Sequence, residues 1–170
     1  MLKYLVARRR LSTIALVLVA IPVLSISVAI ATGPGDSATR QEVTDLVFGA
    51  LGSEGDMQLG GDTALFAAKF TGQALEDEKA QSVHVQDLVH QGTDYPGSLH
   101  ISQQKVLSIS GSGGMYTIEV QFHAIRDNMK DGAIVDHSVS DVIWQVTVIK
   151  TTGGWQISEM HGRFAPGGGP

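Results

Sequence analysis

The sequence predicts an α+β domain, with about three helices packed on one face of a curved antiparallel sheet of about four strands, preceded by a transmembrane helix. The apolar residues recur with a helical period up to about residue 90 and with a period of two from about residue 99 onwards. Glycine-rich turns separate the later segments in the manner of a meander. An uncharged stretch covers residues 11–35.

The uncharged N-terminal segment is long enough to span a membrane. Residues 11–32 are assigned to a transmembrane helix, because at 1.5 Å per residue such a helix is about 30 Å long, the thickness of a hydrocarbon core. Residues 1–10 carry Lys and Arg and form a cytoplasmic basic segment by the positive-inside tendency. A cleaved signal peptide is the alternative, since residues 29–31 (Ala-Ile-Ala) have the form of a cleavage site.

The first helix of the domain is predicted to begin at Thr39. Residues 33–38 are assigned to a linker, and residues 39–42 have the form of a capping box. Gly52 supplies a C-terminal stop, and residues 53–61, rich in glycine and acidic residues, are expected to form a loop. The apolar residues of this helix are Val43, Leu46, Val47, Ala50 and Leu51.

Two further helices are predicted before residue 91. A second helix begins near Asp62, whose side chain can accept hydrogen bonds from the first free backbone N–H groups. Its apolar residues are Leu65, Phe66, Ala68, Phe70, Ala74 and Leu75. Residues 76–90 form a third, short helix by the spacing of their apolar positions, and residues 92–97 form a turn.

Four strands are predicted in the second half of the chain. The first covers residues 99–109, and the second covers residues 115–125, where apolar and polar side chains alternate so that one face is buried. After a turn at residues 127–132, a long bent strand covers residues 134–150. A hairpin at residues 151–154 leads into the last strand.

The extracytoplasmic domain is assigned to residues 39–164, and the Gly- and Pro-rich tail, residues 165–170, is expected to be disordered. Four of the 12 Lys/Arg lie in residues 1–10, whereas all 17 Asp/Glu follow residue 35. An acidic domain of this kind is not expected to bind nucleic acid directly. The chain has no cysteine, which excludes a disulfide scaffold, a thiolate metal site and a cysteine nucleophile.

Six histidines raise the question of a metal site. His84 and His90 lie about 240° apart around a helix, whereas metal-binding pairs on helices are three or four positions apart. We therefore expect no metal site and no cofactor, and interpret the histidines as surface or structural residues. They are His84, His90, His100, His123, His137 and His161.

A catalytic acid/base pair would have to lie between the helices and the sheet. The strand residues that could supply one are His123, Asp141, Glu159 and His161. The period of two places His123 on the opposite face of its strand from Phe122, and Asp141 on the same face of its strand as Ile143. This pattern does not bring any two of the candidates together. No catalytic residue is expected, and the chain is interpreted as non-enzymatic.

The last two strands carry a family resemblance. The stretch DVIWQVTVIKTTGGWQISEM combines an aliphatic strand with Trp144, a glycine turn and a strand that begins with Trp155, and both Trp are interpreted as core. An anchor, then helices, then strands of this kind resemble the cystatin-like or NTF2-like fold, and more narrowly the bitopic conjugation proteins of the VirB8 and TcpC type. Residues 65–70 (LFAAKF) also resemble the helix that those proteins carry after their anchor.

The resemblance implies a non-enzymatic assembly or scaffold subunit of a cell-envelope complex, most concretely a conjugative type IV secretion channel. The implied partners are the membrane and other subunits of the complex, and pairing with a second copy stays open. The location expected from the flanking charges is the cell membrane, single-pass, with the N-terminus cytoplasmic and the domain extracytoplasmic. The cysteine-free, Gly- and Ala-rich composition is compatible with a Gram-positive source. The alternatives are an Mce-associated or other envelope accessory protein of the same fold, and an exported NTF2-like small-molecule binder or enzyme.

Overall fold

A computed structural model describes residues 34–169 of the chain. The cytoplasmic segment and the transmembrane helix predicted in residues 1–32, with the alternative cleavage site, lie outside the described residues. Within residues 34–169, no helix combines the length and the apolar character needed to cross a membrane.

Four helices and then four strands make up the described part of the chain. The helices are α1 (Pro34–Leu51), α2 (Glu54–Gly60), α3 (Thr63–Lys69) and α4 (Gly72–His90). The strands are β1 (Tyr95–Ser112), β2 (Met115–Lys130), β3 (Ala133–Thr151) and β4 (Gly154–Phe164). They form one antiparallel sheet in the order β1-β2-β3-β4. The predicted α+β class and the meander of four strands are confirmed.

The core lies between the helices and the concave face of the sheet. Alternate residues of β2 from Tyr116 to Ala124 are buried, as the period of two predicted. The helices contribute apolar side chains at helical spacing, among them Val43 and Val47 of α1. Trp155 packs edge-on against Tyr116 with ring centroids 5.5 Å apart, which confirms Trp155 as a core residue.

Residues 53–61 contain a helix, so the predicted loop was wrong. Glu54 and Asp56 lie in the first turn of α2, where negative charge is favourable near free N–H groups. Gly61 ends the helix in the left-handed conformation at φ 64°. The pattern was hidden because the buried side of α2 includes polar side chains, Glu54 and Gln58, in addition to apolar ones.

The first predicted helix begins earlier than expected. α1 starts at Pro34, so residues 34–38 of the predicted linker 33–38 are helical and residues 39–42 lie inside the helix. Proline is tolerated in a first turn, because the N–H group that it lacks would have no partner within the helix. The predicted end is confirmed, since α1 stops at Leu51 immediately before Gly52.

The second predicted helix is divided into two. Asp62 caps α3 as predicted, and its carboxylate accepts a hydrogen bond of 2.9 Å from the N–H of Ala64. After α3 the chain is extended at Phe70, which forms a parallel bridge with Ile157 of β4. Gly72, with φ 55°, then begins α4, which includes the whole of the third predicted helix.

β1 and β2 are longer than predicted. β1 begins at Tyr95, inside the segment 92–97 that was expected to be a turn, and β2 continues to Lys130. The turn between β2 and β3 is therefore reduced to Asp131 and Gly132, with φ 50° and 79°. Two residues with positive φ match the twist of a hairpin, so this Asp-Gly pair is the turn.

Ala165 and Gly168 make backbone contacts with β3, whereas the tail to which they belong, residues 165–170, was expected to be disordered. The N–H of Ala165 donates to the carbonyl of Asp141 at 2.8 Å, and the N–H of Asp141 donates to the carbonyl of Gly168 at 3.0 Å. Ala165 is buried. Disorder was expected because the tail has few side chains that can pack, but backbone N–H and C=O groups can form hydrogen bonds without them.

Candidate functional site

A cavity of about 290 Å³ opens on the concave side of the sheet, beside the start of α2. We call it the mouth cavity. All four strands contribute apolar side chains to its walls. Among them are Leu99, Phe122, Val139, Val142, Trp144 and Phe164. A mostly apolar lining with a few charged groups is the usual composition of a binding site.

One ion pair lines the mouth cavity. Arg126 donates from Nη2 to Oε1 of Glu54 at 3.0 Å. The Arg126 side chain is 25% exposed and the Glu54 side chain 11% exposed. Arg126 lies on the concave face because it follows Ala124 by two positions on β2, and Glu54 comes from the first turn of α2.

Hydrogen bonds continue from this ion pair into the helical layer. Gln58 donates from Nε2 to Oε1 of Glu54 at 3.1 Å and to Oε2 of Glu78 at 2.9 Å. The carbonyl of Gln58 accepts a hydrogen bond of 3.0 Å from Oγ of Ser82. We call Arg126, Glu54, Gln58 and Glu78 the polar chain. All of its members except Arg126 are buried.

The polar chain holds two carboxylates and one permanent cation. Burial, and after it the Glu54 carboxylate, raise the pKa of Glu78 to about 7. The hydrogen bond from Gln58 and the charge of Arg126 act on this pKa in the opposite direction. A carboxylate without water around it loses its main source of stabilisation, so Glu78 is partly protonated near neutral pH.

A second cavity of about 260 Å³ lies between α2, α4 and the strands β3 and β4. We call it the side cavity. The described residues that line it include Glu54, Asp77 and Glu78 but no Lys or Arg. Glu54 and Trp144 line both cavities, so the two cavities are adjacent.

Two of the four catalytic candidates lie together, which the sequence analysis did not predict. His123 and Asp141 are cross-strand neighbours on β2 and β3, with Nδ1 and Oδ1 2.8 Å apart. They project from the convex face of the sheet, opposite to the side chains of Phe122 and Val142, which line the mouth cavity. Glu159 and His161 are exposed on β4, and neither is hydrogen-bonded or ion-paired to His123 or Asp141. The four residues therefore lie outside both cavities.

The remaining histidines divide between α4 and the sheet. His84 and His90 are exposed on α4. His100 and His137 both contact the carboxylate of buried Asp127, at 3.4 and 2.9 Å. Within residues 34–169, no group of three or more His, Asp or Glu is arranged to hold a metal ion.

The sequence analysis did not identify the polar chain. Glu54 was placed in a loop, and Glu78 was placed in the third predicted helix without a partner. Arg126 offered one usable signal, because the period of two along β2 continues from Ala124 to Arg126 and places a charge on the buried face. Its partner could not be inferred, since it lies 72 positions away.

Neither a protein-family model nor a curated protein matches the sequence. The fold does match solved structures. The intermembrane-space region of the chloroplast protein ARC6 superposes with a TM-score of 0.62 at 12% identity, covering 74% of this chain and 96% of that one. An NTF2-like superfamily protein from Salmonella enterica serovar Typhimurium superposes with a TM-score of 0.54 at 15% identity, covering 76% of this chain and 93% of that one. The chain therefore has the NTF2-like fold, and at these identities the likeness extends to the fold alone.

Proposed function

We propose that this chain is a non-enzymatic, membrane-anchored subunit of a cell-envelope complex, and that its NTF2-like domain docks another protein at the mouth cavity. One observation carries the proposal. Val139 is 49% exposed and Phe164 is 56% exposed, and both belong to the apolar lining of the cavity. Apolar side chains that remain exposed beside an apolar depression are typical of protein interaction sites.

The sequence outside the described residues supports the membrane-anchored part of the proposal. Residues 11–32 are uncharged and follow a basic segment, which favours a single span with the domain on the extracytoplasmic side. N-terminal sequencing of the protein from the membrane fraction is expected to find the original N-terminus. A mature chain that begins at Thr32 would mean a released protein, and the anchor would have to be withdrawn.

A conjugative type IV secretion channel is the most concrete complex for such a subunit. The support is the VirB8-like and TcpC-like order of elements, together with the LFAAKF segment, residues 65–70. An Mce-associated or other envelope accessory protein of the same fold is the alternative assignment. Deletion of the gene is expected to abolish DNA transfer in the first case and to leave it unchanged in the second.

Site-specific photo-crosslinking tests the docking site. The full-length protein would carry a photoreactive amino acid in place of Val139 in its native membranes, and light is expected to join it to another envelope protein that mass spectrometry identifies. Ile134 is the matched control, because it is similarly exposed at 53% but does not line the mouth cavity. No adduct from Val139, or the same adducts from both positions, would contradict docking at the cavity.

A small-molecule ligand is the second candidate. The observation that favours it is the convergence of Arg126 and Glu54 in a cavity of about 290 Å³, which is near the lower limit of volume for small-molecule sites. Native mass spectrometry of the purified protein would then show an added mass. Ser140→Trp, which places a large side chain in the cavity wall, is expected to remove that mass if it belongs to a ligand of this cavity.

A further inference from the structure

We infer that the docking site extends from the mouth cavity into the side cavity, and that it binds a partner segment in which apolar side chains lie next to a lysine or arginine. The apolar side chains occupy the mouth cavity, and the basic side chain enters the side cavity. The inference rests on the proposed function and specifies the chemistry of the partner.

The two cavities share a wall that suits such a segment. Trp144 lines both of them, and its ring packs over Gly162 of β4, where a Cβ atom would lie 2.9 Å from the ring. The indole can lie this close to β4 because residue 162 has no side chain. An indole ring contacts apolar groups well, and its face also attracts a cation.

The charge of the side cavity is negative and only partly compensated. Glu54 is paired with Arg126, but Asp77 and Glu78 have no Lys or Arg beside them in the lining of the cavity. Burial, and after it the charge of Glu54, raise the pKa of Glu78 to about 7, so a cation beside Glu78 would favour its ionised form. A basic side chain entering the cavity would neutralise it, whereas an acidic one would add to the repulsion.

The charge of the whole domain favours the same partner. All 17 Asp/Glu of the chain follow residue 35, together with 8 of its 12 Lys/Arg, since the other four lie in residues 1–10. An acidic domain attracts basic segments over a distance and accelerates their encounter with the site. The cavity of about 260 Å³ is large enough for one long side chain.

Two labelled peptides test the inference. They are about ten residues long, share the same apolar residues, and differ at one central position, which is lysine in one and glutamate in the other. Binding to the full-length protein in detergent micelles is measured by fluorescence anisotropy. We expect the lysine peptide to bind about tenfold more tightly or better, a difference that charge complementarity at one buried contact can supply.

Two charge reversals on α4 separate the site from the overall charge. Asp77→Lys changes the lining of the side cavity and is expected to remove the preference for lysine. Glu76→Lys makes the same change of net charge at the adjacent exposed position, which pairs with Lys79 and does not line the cavity, so the preference should persist. Equal binding of the peptides to the native protein, no saturable binding, or equal losses in both variants would each overturn the inference.

Crosslinking from Val139 distinguishes this inference from the proposed function. An adduct whose partner segment contains a lysine or arginine beside apolar residues supports both. An adduct with a segment that has no basic residue near the crosslink overturns the inference and leaves docking at the mouth cavity in place. Absence of an adduct from Val139 contradicts the proposed function itself.

Discussion

Arg126 compensates the negative charge of the polar chain. Its guanidinium lies 3.0 Å from Glu54, and Gln58 links Glu54 to Glu78, so removal of Arg126 leaves two buried carboxylates joined through one amide. The Arg163–Glu119 pair on the convex face is shorter, at 2.7 Å, but its side chains are 56% and 27% exposed. Solvent screens that second pair, so its shorter distance does not imply a larger contribution to stability.

Arg126→Ala is therefore expected to lower the free energy of unfolding by roughly 2 kcal/mol, less than for a fully buried pair because Arg126 keeps some solvent contact. Arg163→Ala should cost less than about 1 kcal/mol. Urea denaturation of the full-length protein in micelles, followed by tryptophan fluorescence, measures both. Equal losses in the two variants would show that the polar chain is no more important than a surface ion pair.

The contact between α2 and β1 depends on glycine. A Cβ atom at Gly55 would lie 2.4 Å from the carbonyl oxygen of Gly97 and 2.9 Å from the backbone nitrogen of Leu99. No Cβ atom can be accommodated at such distances from backbone, so α2 approaches the sheet this closely only because residue 55 has no side chain. The contact places Glu54 beside the mouth cavity.

Gly55→Ala is expected to destabilise the domain by roughly 2 kcal/mol, because the helix must move away from β1. Gly60→Ala is the matched control, since it lies in the same helix and a Cβ there would meet nothing within 4 Å. Both variants gain helix propensity, so Gly60→Ala should be neutral or stabilising by up to about 1 kcal/mol. Thermal unfolding by circular dichroism compares them, and similar melting temperatures would contradict the packing argument.

The elements that the sequence predicted well are those whose local signal agrees with their packing. The alternation along β2 and the cap at Asp62 belong to this group. The break at Phe70 does not, because an apolar residue there continues the helical period while its backbone pairs with Ile157. α2 was missed because glycine in a sequence suggests a loop. In the structure, Gly55 is needed in the helix because a side chain there would clash with β1.

The candidate site was less predictable than the fold. The apolar lining follows from the period of two, but the polar chain joins residues that are 72 and 20 positions apart in the chain. Sequence periodicity assigns a residue to a face, and it contains no information about which distant residue lies opposite. The pairing of Arg126 with Glu54 therefore required the tertiary structure.

The stability of the whole domain depends on pH through Glu78. The pKa of Glu78 is raised to about 7 in the folded state, while an unfolded glutamate has a pKa of about 4.3. Below both values Glu78 is protonated in the folded and the unfolded state, and its contribution to the stability of the folded state is fully present. Between them the folded state holds a proton that the unfolded state has lost, so stability falls as pH rises towards 7, by roughly 4 kcal/mol at most.

Glu78→Gln is expected to remove this pH dependence. The variant should unfold at a higher urea concentration than the native protein at pH 8 and at a similar one near pH 4, since glutamine keeps an acceptor for Gln58 without a charge. Glu76→Gln, at a side chain that is 66% exposed, should change neither value. If the urea midpoints of Glu78→Gln and the native protein differ by the same amount at both pH values, the pH dependence does not come from Glu78.

The bridge between Phe70 and Ile157 has a consequence for the order in which the chain is completed. The helices are synthesised before the strands, yet the extended segment after α3 pairs with β4, and the N–H of Thr71 donates to the carbonyl of Ile157 at 2.8 Å. Phe66 and Phe70 therefore become fully buried only when β4 has been added to the sheet. Until residues 154–164 have emerged, these aromatic side chains are available to chaperones, proteases and other unfinished chains.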